Sequence, residues 1–250
     1  MKPRDFQPAS SIPPLAAGAI HLWSVDLAPP PDAVTAMRRR LPDAERRRAD
    51  RFRFDRHRRR FTVRRWRLRQ LLGAYRGIEP EEVRFVYGDR DKPALDPELD
   101  NSSGPLCFNL SDSGDLAVIA FSHGLELGVD VEILRPMNDA RKIAERYFAD
   151  DERAVLRAVG ENRLSEAFFL CWTRKEAYVK AIGEGLAEPL GNFCVSFFPP
   201  EPAHFLHIGG SSNEAEAWTL TGFEPTRDAV GALAYRGGPL RVTPLRWAAG

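Results

Sequence analysis

Leu125-Glu126-Leu127-Gly128-Val129-Asp130-Val131-Glu132-Ile133 alternates without a fault. Every odd position is apolar, and Glu126, Gly128, Asp130 and Glu132 share the opposite face of a strand. Asp130 and Glu132, two residues apart, then stand about 7 Å from each other. Carboxylates that close repel unless a cation or an arginine lies between them. Hard oxygen ligands at this spacing suit Mg²⁺, which takes one or two carboxylates plus phosphate oxygens and water. The same pattern also fits the solvated face of an edge strand, because exposed acids are common.

Downstream, helices are predicted at about 140–147, 150–159 and 163–182, the last ending at Gly183. On the last, Phe168, Phe169, Trp172 and Val179 form one stripe, and Glu176 falls inside it. A carboxylate among apolar neighbours is costly unless paired or bound to a cation. Lys180 is its i+4 neighbour, so an ordinary helical ion pair is the simplest reading. Gly183-Glu184-Gly185 reads as a flexible turn. Strands at 193–198, 217–223 and 230–235 follow, with a turn at 209–213.

Upstream, residues 20–27 alternate as a strand, and Asp32 is placed to cap a helix running to Arg40. Helices at 42–53 and 55–75 follow, with Gly77 ending the second. Strands at 83–87, 106–110 and 116–121 complete this half. Turns are expected at Gly88–Asp91 and Ser111–Gly114, and a polar loop at 96–105. Strand–helices–strand–hairpin order therefore occurs twice. The expected architecture is α+β, two similar lobes in one chain: a flexible tail (1–18), an N-terminal lobe (19–124) and a C-terminal lobe (125–250).

Composition narrows the function classes. The 43% apolar share supports a packed core, and no apolar run reaches about 18 residues, which excludes a membrane-spanning helix. The first residues lack a signal peptide's apolar run, so the chain reads as cytoplasmic. Three cysteines, Cys107, Cys171 and Cys194, with no CxxC, point to reduced thiols and away from a disulfide framework or a zinc site. His204 and His207 offer only two ligands, and the other histidines lack a partner cluster. The net charge of +1 hides an asymmetry: Arg38–Arg76 holds 17 arginines against four acids. Such a segment suits a polyanionic partner.

The two acidic segments, taken together, carry a resemblance. Gly128-Val129-Asp130-Val131-Glu132, followed about 40 residues later by Trp172-Thr173-Arg174-Lys175-Glu176-Ala177-Tyr178-Val179-Lys180, closely resembles the signature of the 4′-phosphopantetheinyl transferases. Phe108-Asn109-Leu110-Ser111-Asp112-Ser113 resembles the family's Phe-Asn-x-Ser-His-Ser motif, and Asp91-Lys92-Pro93 its Gly-Lys-Pro turn. Arg48-Ala49-x-Arg51-Phe52 and Arg60-Phe61 are similar to its basic N-terminal helices. The likeness spans roughly residues 20–235 and is to the large, single-chain, pseudo-dimeric type.

The resemblance implies a magnesium-dependent enzyme (manganese would also serve) that moves the phosphopantetheine arm of coenzyme A onto a serine of an apo acyl or peptidyl carrier protein. The second product is adenosine 3′,5′-bisphosphate. It implies that Asp130, Glu132 and Glu176 hold the metal, that Glu176 takes the serine proton, and that Lys180 stabilises the leaving phosphate. Arg48, Arg60, Lys92, Ser111 and Asp112 map onto coenzyme A contacts. It implies a monomer, with neither nucleic acid nor membrane as partner. Asp112 departs from the family, which has His there. A carboxylate facing phosphate is repelled unless an arginine intervenes, or unless it turns away to cap the 111–114 turn.

Two rival readings compete. A basic nucleic-acid-binding protein fits Arg46-Arg47-Arg48, Arg58-Arg59-Arg60 and Arg64-Arg65 interleaved with Phe52, Phe54, Phe61 and Trp66. No RNP, KH or zinc pattern accompanies them, however. A non-catalytic relative that binds coenzyme A or carrier proteins is the other, and Asp112 is its argument.

Overall fold

The computed structural model describes residues 1–250 apart from 89–91, 101–103, 184–188, 199–200 and 249–250. The chain begins with β1 (Gln7–Ala9) and β2 (Ala19–Asp26), followed by α1 (Pro31–Arg40), α2 (Asp43–Asp50) and α3 (Asp55–Arg76). The short strands β3 (Phe85–Tyr87) and β4 (Pro93–Leu95) lead to β5 (Leu106–Ser113), β6 (Leu116–His123) and β7 (Leu127–Ile133). Helices α4 (Ala140–Tyr147), α5 (Asp150–Ala158) and α6 (Glu161–Ile182) come next. The chain closes with β8 (Phe193–Val195), β9 (Phe205–Ile208), α7 (Ser212–Glu216), β10 (Trp218–Phe223), β11 (Ala229–Arg236) and β12 (Arg241–Trp247). The fold is α+β. No described helix is long and apolar enough to cross a membrane.

Two sheets organise it. One has the order β1-β12-β2-β6-β5 and the other β10-β11-β7. Alternation decides what each face meets. Trp23 and Val25 of β2, with Ala117, Ile119 and Phe121 of β6, pack with Val63, Trp66, Leu71 and Leu72 of α3. Ile20, Leu22, Val118 and Ala120 point the other way, onto Leu127, Val129 and Val131 of β7 and Leu233 and Tyr235 of β11. That second layer is the seam between the lobes. The odd, apolar face of residues 125–133 is therefore the inter-lobe core. A third cluster, built on Phe168, Phe169, Cys171, Tyr178 and Val179, lies between α6 and the rest of the C-terminal half.

Several expectations need correction. The expected tail is tied down: Phe6 is buried, the Met1 ammonium donates to Gly222 O at 3.2 Å, and β1 pairs in parallel with β12. β12 was not expected, because Pro244 weakens the strand pattern. It inserts between β1 and β2, so residues 241–247, assigned from sequence to the C-terminal lobe, sit in the first sheet. Asp32 does not cap α1; the cap position is Pro30 and no side chain serves it. Ser111, Asp112 and Ser113 belong to β5, and the chain reverses after them. Ser212 and Asn213 open a short helix, where a turn was expected. Most of the expected turns at 88–91 and 183–185, and part of the 96–105 loop, lie outside the described residues.

Candidate active site

β7 lays its even-numbered residues under α6, and Gly128 permits the contact. A Cβ there would lie 2.0 Å from Ala177 O and 2.3 Å from Ala181 N. With strand and helix backbones that close, Asp130 and Glu132 reach one cleft with Trp172, Glu176 and Lys180, which repeat every fourth residue along one helix stripe. The cleft measures about 510 Å³ and is completed by Arg64, Leu110, Ser111, Asp112 and Val131.

β5 closes the far side through alternate side chains. Asn109 Oδ1 accepts from Val129 N (2.9 Å), and Ser111 Oγ donates to Asp130 Oδ1 (2.7 Å). Ser113 Oγ donates to Glu132 Oε2 (2.6 Å) and accepts from Ile133 N (3.1 Å). Three side chains at period two thus stitch the lobes together along the acidic strand.

Lys180 Nζ donates to Asp130 Oδ1 (2.6 Å) and Ser111 Oγ (3.0 Å). It does not close the i,i+4 pair with Glu176 that sequence spacing suggests. Two oxygens remain: Asp130 Oδ2 and Glu176 Oε1 are sealed from solvent without a hydrogen-bond partner. Burial pushes the Asp130 carboxyl above the ordinary range and Glu132 adds to this, against Lys180 and Ser111. Burial likewise raises Glu176, and the Asp130 charge is the next cause. Buried polar atoms are normally paired, so these oxygens ask for a ligand. A hard divalent cation fits them: it would fill the free lone pairs and relieve the mutual repulsion. Arg135 Nη1 donates to Glu132 Oε2 (2.9 Å) without partnering either orphaned oxygen. The solvated-edge reading fails for Asp130, which is 5% exposed.

The cationic side is selective. Arg64 Nη1 donates to Asp112 Oδ1. Asp112 therefore neither faces the cleft unpaired nor caps a turn. Arg64 lines both the cleft and an adjoining pocket of about 180 Å³, where Arg48, Arg65 and Phe61 also stand. Arg48 lies over the Phe61 ring at 5.7 Å. Arg60, one turn before Arg64, has its Nε on Asp115 (2.9 Å) and lines neither cavity. Lys92 Nζ donates to Glu126 Oε2 (2.9 Å) and Lys180 O (3.1 Å), at the edge of a further pocket of about 630 Å³. Among the described residues ten arginines of the 38–76 segment form ion pairs, and Glu81, Asp100, Asp112 and Asp115 from outside the segment offset part of its excess charge.

Comparison with known proteins decides the family. Residues 126–233 match the model of the 4′-phosphopantetheinyl transferase superfamily, and residues 26–124 that of the 4′-phosphopantetheinyl transferase N-terminal region. The chain is 38% identical over 223 residues to the 4′-phosphopantetheinyl transferase HetI of Nostoc sp., covering 89% of this chain and 90% of that one. The chain belongs to the 4′-phosphopantetheinyl transferase superfamily. It is also similar to the 4′-phosphopantetheinyl transferase AcpT of Escherichia coli K12, at 42% identity over 40% of this chain and 48% of the relative. Sfp of Bacillus subtilis 168, named as the same kind of transferase, is 29% identical over 51% of this chain and 54% of its own length.

In this member of the superfamily, sequence reasoning brings Asp130, Glu132, Glu176, Lys180, Ser111 and Asp112 to one cleft. It misses Arg64, Trp172, Asn109, Ser113 and the contact at Gly128. The signal for three of these is present: Asn109 and Ser113 share one face of their strand with Ser111. Gly128 is the one residue without a side chain on the acidic face. Arg64 carries no signal that separates it from sixteen other arginines.

Proposed function

We propose that the cleft transfers the 4′-phosphopantetheine arm of coenzyme A to a serine of an apo acyl or peptidyl carrier protein and releases adenosine 3′,5′-bisphosphate. One observation carries the reading. Asp130, Glu132 and Glu176 meet in one cleft, and Asp130 Oδ2 and Glu176 Oε1 lack partners there. These three carboxylates would hold Mg²⁺, and oxygen ligation suits Mn²⁺ equally. A bound ion supplies charge neutralisation and orientation of the pyrophosphate for in-line attack.

The chain's own residues do the rest. Glu176, whose carboxyl is raised by burial, is a better proton acceptor than an exposed glutamate and takes the serine proton. The serine oxygen bonds to the pantetheine-bearing phosphorus as the bond to the bisphosphate breaks. Lys180 Nζ meets the charge that develops on the leaving oxygen, as a compact point charge. Ser111 holds Asp130 and Lys180 in register. Arg64 and Arg48 present guanidinium donors to phosphate oxygens, and Asp112 orients Arg64 for that task. Arg60 and Lys92 are assigned outer coenzyme A contacts. The reading places a monomer in the cytoplasm, where coenzyme A and its carriers meet.

The test is mass gain on a panel of apo-carrier proteins, with and without coenzyme A and Mg²⁺. Gain that requires both supports the reading. Coenzyme A binding without transfer to any carrier would favour the non-catalytic relative. Salt-sensitive DNA binding indifferent to coenzyme A would favour the nucleic-acid reading.

A further inference from the structure

We propose that Asp151, Cys194 and His207 form a zinc-type metal site in the C-terminal half, separate from the cleft. None of the three lines the cleft. Cys194 and His207 are direct partners across β8 and β9, so their side chains leave the same face of the hairpin. Asp151 stands in the first turn of α5, packed against that hairpin. One ligand atom from each residue lies within 4.8 Å of the others. Thiolate, imidazole and carboxylate together are the donor set of Zn²⁺, and they disfavour Mg²⁺ or Ca²⁺, which want oxygen alone.

A second observation points to a ligand. His207 Nδ1 is sealed from solvent and has no hydrogen-bond partner. Buried ring nitrogens are normally satisfied. The surroundings are also rigid. Glu152, next to Asp151, accepts from Lys175 Nζ (2.7 Å) and from the backbone N–H of Val195 (2.9 Å), the residue after Cys194. The α5 terminus and β8 are thereby fixed relative to each other before any ion arrives, as good ligand positioning requires. Cys194 would bind as the thiolate, so binding expels its proton. Asp151 is exposed, which leaves the fourth position to water. The ion acts as a clip between α5 and the β8–β9 hairpin.

The expectation against zinc rests on the absence of CxxC. Ligands at 151, 194 and 207 come from separate elements, and no short spacing announces them.

The test titrates the metal-free full chain with Co²⁺ as a spectroscopic substitute, without coenzyme A. One equivalent should give a thiolate-to-cobalt charge-transfer band and tetrahedral d–d bands, both bleached by Zn²⁺. Cobalt held by carboxylates in the cleft gives no such charge-transfer band, so the two sites are distinguished. Asp151→Asn should weaken cobalt binding at this site at least about tenfold. Cys194→Ala should abolish the charge-transfer band, and Cys107→Ala should leave it intact. Should Cys194→Ala fail to fold, the exposed Asp151→Asn decides alone. A wild-type chain without the band, or a band of unchanged affinity in Asp151→Asn, overturns the proposal.

Discussion

Helix α6 carries two lysines five residues apart, and each meets a carboxylate, yet the two clusters are built to opposite ends. Lys175 and Glu152 have fully buried side chains. Lys175 Nζ donates to Glu152 Oε1 (2.7 Å) and Phe193 O (2.6 Å), and lies over the Phe193 ring at 4.2 Å. The backbone N–H groups of Val195 and Ala149 donate to Glu152 Oε1 and Oε2, each at 2.9 Å, so both oxygens have donors. Around Lys180 the account stays open. One ammonium faces Asp130, Glu132 and Glu176, and two carboxylate oxygens have no donor. A closed cluster holds the fold. A cluster with acids in excess and oxygens unsatisfied is poised for a cation. Sequence spacing suggests a pair only for Lys180, with Glu176, and gives no sign of Glu152 beside Lys175; the count of filled lone pairs separates the two clusters.

The largest effect should come from breaking the open cluster. Glu176→Gln keeps the shape and removes the proton acceptor, and general-base losses run to about 10²–10⁴-fold. A fall of about 10³-fold in kcat for carrier modification is expected, with coenzyme A binding retained. Turnover close to wild type would remove Glu176 from the mechanism.

The closed cluster should respond in stability. Lys175→Met leaves Glu152 buried and uncompensated, which costs about 3–5 kcal/mol in known cases. Urea denaturation followed by circular dichroism should show that loss. The pair Lys175→Met/Glu152→Leu should recover part of it, because no unpaired charge then remains. A double variant as unstable as the single one would mean that the hydrogen bonds to Phe193, Val195 and Ala149, not the charge, dominate.

Legibility in the sequence follows the same division. The strand at 127–133 and the helix at 161–182 were readable because alternation and helical spacing are local. The meeting of Asp130 with Glu176 and Lys180 was readable only through two motifs taken together. Partner choice was not readable. Ser111, Asp112 and Ser113 look like turn residues, and they form strand because Ser111 and Ser113 have carboxylates of the other lobe to serve. Arg64 gains meaning only from Asp112, 48 positions away. β12 was hidden by Pro244 and by lying at the far end of the chain from the strands it joins. These are tertiary facts, and no local pattern encodes them.

Gly128 serves the open cluster, because it sets how closely α6 rides on β7. Gly128→Ala places a methyl against the backbone of Ala177 and Ala181. Backbone cannot give way as a flexible side chain does, and overpacking of this kind costs about 1–3 kcal/mol. Transfer should fall further than stability suggests, because Glu176 and Lys180 shift away from Asp130. Equal stability with normal transfer would show that the helix slides without disturbing the site.

The smallest effect tests whether the open cluster is held at a cost to the fold. The raised Glu176 carboxyl means that the folded chain binds more protons than the unfolded one between the ordinary glutamate value and the raised one. Stability contributed by this group therefore falls as pH rises through that interval. Glutamine does not titrate. In metal-free buffer with a chelator, Glu176→Gln should thus be more stable than wild type at pH 8, by about 1 kcal/mol, the usual gain from relieving a functional site. That advantage should shrink towards zero as the pH approaches 4. A chelated wild type equally stable at pH 8 would mean that Glu176 is at ease without a cation, and the contrast with Glu152 would lose its physical basis.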